Sequence, residues 1–159
     1  MAAIWQTEAE GGAMDEFEIV MTIDRPAEDV FAALQDLDKI PRWNTSLSEV
    51  RKTSDGPLAA GSTLVYVGRF LGRSYESPSE YSEFVADKSY VSRTTSGPFE
   101  LEVTTTLDRV DDATKLTLRA RGESRGFFKV AEPVVVRLTK RTFENAYENL
   151  KTLLEEDAL

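Results

Sequence analysis

The stretch at residues 96–110, "SGPFELEVTTTLDRV", sets Phe99, Leu101, Val103 and Leu107 at every second place, with Glu100, Glu102, Thr104 and Thr106 between them. A period of two describes a strand with one face buried and the other in water. A solid core and a hollow pocket give the same alternation. The stretch therefore predicts a half-buried strand and leaves open what its apolar face covers.

The same pattern extends to both sides. Asp111-Asp112 turns the strand into "TKLTLRARGE", where Leu116, Leu118, Ala120 and Gly122 share one side and Thr117, Arg119 and Arg121 the other. Upstream, "SYVSRTTS" reads as a strand that Gly97-Pro98 turns into the opening stretch. "GRSYESPSEYSEFVADK" alternates Tyr75, Ser77, Ser79 and Tyr81 against Glu76, Pro78, Glu80 and Ser82. Proline cannot donate to a ladder, so this segment is expected to be an edge or bulged strand. "STLVYVGRF" concentrates β-branched and aromatic residues after the Gly/Pro turn "SDGPLAAGS", and "SLSEVRKTS" is a candidate strand before it.

The chain's patterned part begins with "EFEIVMTID", which places Phe17, Ile19, Met21 and Ile23 on one strand face. "DRPAEDVFAALQDL" then gives a short helix, with Pro26 suited to its first turn, Glu28 and Asp29 near its positive N-terminus, and Val30, Phe31 and Leu34 at helical spacing. "DKIPRWN" reads as a further turn broken at Pro41. From Gly126 the period changes to about 3.6, with Phe127, Ala131, Val134, Leu138, Ala146, Leu150 and Leu153 near one stripe. A long final helix is predicted, kinked or started at Pro133.

At 159 residues, 41% of them hydrophobic, the chain fits one domain with a sizeable core. Residues 1–14 read as a flexible extension before a domain at 15–159. There is no cysteine, which removes disulfides, thiolate metal sites and Cys nucleophiles. There is no histidine either, so catalysis would rest on Asp, Glu, Tyr, Lys, Arg or a cofactor. No metal or cofactor is expected. A net charge of −9 argues against affinity for nucleic acid or anionic membrane. No apolar run is long enough to span a bilayer, and "MAAIWQTEAEGGAM" lacks the form of a signal peptide, so a cytoplasmic protein without membrane insertion is expected.

The order of elements, strand, two short helices, six more strands and a long helix, predicts an α+β domain in which a curved seven-stranded antiparallel sheet wraps around the C-terminal helix. This is the helix-grip layout. "IDRPAEDVFAAL", "IPRWN", "SGPFELEVTTTL" and "RGESRGFFKVAEP" resemble the START-like (SRPBCC) superfamily, particularly its polyketide cyclase/dehydrase branch, from about Glu16 to Leu154. The resemblance implies a cavity between sheet and final helix that takes a lipid, polyketide or similar hydrophobic molecule, bound by a non-catalytic protein or acted on by a cyclase, aromatase or dehydratase.

Small or polar residues on the inward faces, Thr105, Ala120 and Gly122, leave room for a ligand or let the helix approach closely; the resemblance favours the first. Expected wall residues are Leu64, Phe99, Leu101, Val103, Leu118 and Phe127, with Val134, Leu138 and Thr142 contributed by the helix. Tyr66, Tyr75 and Tyr81 offer hydroxyls that would orient a polar ligand group, although sheet packing also explains them, and Trp43 would close one end. Arg69 and Arg73, which flank a turn, suit a carboxylate or plain solvation. No acid/base pair stands out, and the glycines of "DGPLAAGS" do not match a phosphate-cradling loop.

Overall fold

The computed structural model describes residues 15–96, 99–124 and 132–159. The expected N-terminal extension, the Gly97-Pro98 turn and Phe127 lie outside them, and only the backbone of Phe99 is described. Strand β1 (Asp15–Ile23) leads into helices α1 (Ala27–Gln35) and α2 (Ile40–Trp43). Strands β2 (Leu47–Lys52), β3 (Thr63–Phe70), β4 (Arg73–Val85), β5 (Ser89–Thr94), β6 (Phe99–Val110) and β7 (Ala113–Ser124) follow, and helix α3 (Glu132–Glu155) closes the chain.

Every strand pairing is antiparallel, in the order β1-β7-β6-β5-β4-β3-β2. Successive strands from β2 to β7 are neighbours in the sheet, and β1 returns to pair with β7. The β6/β7 ladder runs without a register shift from Phe99↔Ser124 to Val110↔Ala113. The inward phase of "FELEVTTTL" is therefore kept along the whole strand, and Leu107 and Leu116 face each other in the core.

Two prolines behave differently from expectation. Strand β4 lies between β3 and β5 rather than at an edge, and its bulge falls between Tyr81 and Glu83. Pro78 is accommodated because its carbonyl accepts from the Thr95 backbone N–H at 2.8 Å, on the β5 side just past the last Ser79↔Thr94 pair. N and C=O of one strand residue point the same way, so its missing donor also falls where that ladder has run out. Pro41 does not break α2 but sits in its first turn, where the backbone N–H has no helical partner in any case.

Helix α1 starts after Pro26, whose extended backbone (φ −61°, ψ 153°) lets its carbonyl accept from Asp29 and Val30. Its buried face carries Ala27, Val30, Phe31, Ala33 and Leu34. Phe31 inserts edge-on between Phe84 and Tyr90, with ring centroids 5.4 and 6.0 Å away. At the opposite end of the chain, polar contacts hold α3. Arg25 donates to the Glu155 carbonyl and Asp157, Arg42 to the Ala158 carbonyl, and Lys151 to the Thr22 carbonyl and Glu155. The Asp24 backbone N–H donates to Glu155 at 2.8 Å.

The outer face of the sheet carries paired charges, including Arg93 with Glu102, Arg119 with Glu18, and Arg51 with Glu49 and Glu76. These pairs explain the alternating charged residues of the strands. No described helix is long and apolar enough to cross a membrane.

Candidate functional site

A cavity of about 200 Å³ lies between the concave face of the sheet and α3, with α1 and α2 at one end. Thr105, Ala120 and Gly122 all border it, so the small residues of β6 and β7 belong to its wall. Glycine at 122 has a further cause. A β-carbon there would collide with the Glu100 carbonyl of the neighbouring strand. At Gly68 a β-carbon would meet the Ser46 carbonyl at 2.5 Å and the Tyr75 hydroxyl at 3.0 Å, so the bare backbone admits both.

Of the residues expected to form the wall, Trp43, Tyr66, Tyr75, Tyr81, Leu101, Val103, Thr105, Ala120 and Thr142 border this cavity. Leu64 and Leu118 are buried on the same faces but pack into the core instead of reaching it. Leu138 is half-buried away from the cavity, and Val134 is 50% exposed. The helix instead presents Val135, Val136, Thr139, Phe143 and Tyr147. The cause is phase: the wall positions Val135, Thr139, Phe143 and Tyr147 each lie one residue, about 100° of helix, beyond Val134, Leu138, Thr142 and Ala146. Arg69 remains on its hairpin, donating to the Gly72 carbonyl and Ser74.

Tyr90 and Tyr147 complete the polar part of the wall and were not singled out by sequence reasoning. Tyr90 shares a period-two face with Ser92 and Thr94, all three at the cavity. Tyr147 follows Phe143 at one helical turn, stacking with it at 6.4 Å. The full set of five tyrosines in the chain, Tyr66, Tyr75, Tyr81, Tyr90 and Tyr147, thus borders one cavity. Ring contacts tie four of these wall aromatics together: Tyr81 to Tyr90 at 5.3 Å, and Trp43 to Tyr147 at 5.2 Å.

Burial pushes the ionisation of all five tyrosines above the ordinary 10.0. For Tyr81, Tyr90 and Tyr147 the neighbouring tyrosines add to the effect, since a phenolate there would face other phenolic oxygens at low dielectric. They are neutral at any physiological pH. The Tyr81 hydroxyl donates to Gln35 Oε1 at 3.1 Å and also contacts that of Tyr66. Tyr90 and Tyr147 interact with the Thr105 hydroxyl, which nevertheless makes no hydrogen bond of ordinary geometry. The indole N–H of Trp43 is likewise buried without a partner.

Among the described wall residues Glu100, an exposed residue, is the one carboxylate, and there is no lysine or arginine. No group of three or more carboxylates gathers among the described residues in a way that would hold a metal ion. The arrangement offers an apolar volume with uncharged hydroxyl and N–H groups on its wall.

A curved antiparallel sheet closed by a long C-terminal helix, with a cavity between them, defines a helix-grip protein of the START-like class. The family described as polyketide cyclase / dehydrase and lipid transport matches residues 14–155, and the chain belongs to it. No curated protein sequence matches the chain. Among solved structures, TTHA0849 from Thermus thermophilus is 16% identical with a TM-score of 0.78, covering 91% of this chain and 100% of its own. A START superfamily protein from Mycobacterium smegmatis is 17% identical, TM-score 0.74, covering 89% and 97%. The Zhui aromatase/cyclase from Streptomyces sp. R1128 is 13% identical, TM-score 0.71, covering 91% and 93%. At these identities the likeness is one of fold.

Proposed function

We propose that this protein binds a small hydrophobic molecule in the cavity between sheet and α3, as a carrier, sensor or sequestering protein. The observation that carries the reading is the cavity itself, about 200 Å³ and bordered, among the described residues and apart from Glu100, by apolar and uncharged side chains. An apolar cavity of about 150 Å³ takes benzene, so a molecule of one or two rings, or a folded short chain, is of suitable size. Family and fold point the same way, towards hydrophobic-ligand binding or cyclase-like chemistry.

Cyclase or dehydratase activity is the second reading, favoured by the family description and the aromatase/cyclase fold. It needs a group that exchanges protons near neutral pH. The wall tyrosines are held protonated, and Glu100 is exposed. Binding therefore takes precedence.

Trp43 supplies the test without a label. In a Trp5→Phe variant its emission is the only indole signal, and titration with 2-acetylnaphthalene is expected to change it saturably at one site per chain. A linear response, with no rise in melting temperature, would overturn the reading. Native mass spectrometry of freshly purified protein identifies any natural occupant.

A further inference from the structure

The apolar wall holds two buried polar atoms whose hydrogen bonding is incomplete. Trp43 and Thr105 are 3% and 1% exposed; Trp43 Nε1 has no hydrogen-bond partner, and Thr105 Oγ1 is approached by the Tyr90 and Tyr147 hydroxyls without a hydrogen bond of ordinary geometry. Both residues border the cavity, beside Tyr147, whose ring meets Trp43 at 5.2 Å and whose hydroxyl interacts with Thr105. An unpaired buried polar group carries a desolvation cost that a partner inside the cavity would relieve. An indole N–H only donates, so the partner at Trp43 must be an acceptor.

The charge of the partner follows from what surrounds it. Among the described wall residues there is no lysine or arginine, and Glu100 is the one carboxylate. A carboxylate ligand placed against Trp43 and Thr105 would lose its hydration with no cation among the described wall residues to compensate, whereas a carbonyl or ether oxygen would lose far less. The tyrosine hydroxyls, kept neutral by burial, supply further uncharged donors beside the same space.

We infer that the cavity selects uncharged ligands bearing a buried acceptor oxygen, such as aryl or alkyl ketones, over both oxygen-free hydrocarbons and carboxylates of equal size, with Trp43 Nε1 and Thr105 Oγ1 as the recognising atoms. This rests on the cavity-binding reading and sharpens it. A free fatty acid is accordingly disfavoured as the occupant relative to a ketone or quinone.

Three probes of similar bulk separate the cases: 2-acetylnaphthalene, 2-isopropylnaphthalene and 2-naphthoate. Affinities are measured by Trp43 emission in the Trp5→Phe protein and by calorimetry at pH 7. The ketone is expected to bind about tenfold or more tightly than the hydrocarbon, the worth of one good hydrogen bond to a group otherwise unpaired. The carboxylate should be weaker than the ketone by at least the same factor. In Thr105→Val, and independently in Trp43→Phe followed by calorimetry alone, the ketone-to-hydrocarbon ratio should fall towards one. Equal binding of ketone and hydrocarbon would mean that water already satisfies these atoms, and would overturn the inference while leaving the cavity reading intact. Preferred binding of naphthoate would do the same. Saturable binding of none of the three would overturn the cavity reading, and this inference with it. If one variant fails to fold, the probe ratios in the parent protein and the other variant still decide.

Discussion

Trp43 of α2 and Tyr147 of α3 meet edge to face, their ring centroids 5.2 Å apart and their planes at 67°. The contact joins two helices that lie far apart in the chain, and Asn149 reinforces it by donating to the Trp43 carbonyl at 3.3 Å. One corner of the cavity is thus built from the chain's two helical ends, while the sheet supplies the rest.

The tyrosines give a prediction for alkaline pH. In the folded protein all five ionise above 10.0, while in the unfolded chain they return to about 10. A raised folded-state value means stability that is fully present below pH 10 and lost as pH rises above it. Each tyrosine weakens folding by up to about 1.4 kcal/mol per pH unit in that window. Tyrosinate absorbance at 295 nm should therefore rise at higher pH than in the urea-unfolded chain, and chiefly together with loss of far-ultraviolet circular dichroism. A titration that matches the unfolded chain's while the circular dichroism is still that of the folded protein would contradict the buried cluster.

Thr105→Phe tests whether the inward face of β6 borders space. The ring should enter the cavity, leaving stability within about 1 kcal/mol of the parent while probe affinity falls at least tenfold; a filled core would instead lose typically ~1–3 kcal/mol. Thr104→Phe, whose side chain is on the opposite face of the same strand, is the control and should change neither property. Urea denaturation and Trp43 emission read the two quantities.

Both tests rest on strand phase, which was legible because period two survives from Leu101 to Leu107 without a bulge. Tyr66, Tyr75 and Tyr81 were legible for the same reason. The helix was not, because the apolar stripe through Val134 and Leu138 is offset by one residue from the stripe that meets the cavity, where Thr139 interrupts the apolar pattern. Nor was the position of β4, since a proline's tolerance in a sheet depends on where the neighbouring ladder stops, and that is a property of β5. Tyr90 and Tyr147 each follow an ordinary local pattern; only the closed fold brings them to Thr105.

Gly122→Ala should destabilise by typically ~1–3 kcal/mol, because the added carbon meets backbone rather than a movable side chain. Thermal unfolding checks this. An unchanged melting temperature would show that β6 and β7 separate there without penalty.

Glu155 ionises below its ordinary 4.5, chiefly because the Lys151 ammonium and then the Asp24 N–H hydrogen-bond to its carboxylate. A lowered folded-state value means stability present above about pH 4.5 and lost as pH falls through that lower value. Glu155→Gln should cost about 0.5 kcal/mol or less at pH 7, as exposed pairs do, and the difference from the parent should shrink as pH falls below 4.5. A difference that persists into acid would assign the effect to packing.

The described polar anchors of α3 cluster at its C-terminal end, from Asn149 and Lys151 to Ala158, whereas Val135, Val136 and Thr139 near its other end form cavity wall. On its described contacts the helix is a cantilever. A turn of about 5° at the fixed end displaces the far end of a ~30 Å lever by roughly 2.6 Å. Cavity size is then set by an angle more than by the identity of any wall residue, and the guest that fits is gauged by how far the beam deflects. Amide exchange should accordingly be slowest near Leu150 and quicken steadily towards Val135, with added probe slowing the free end most.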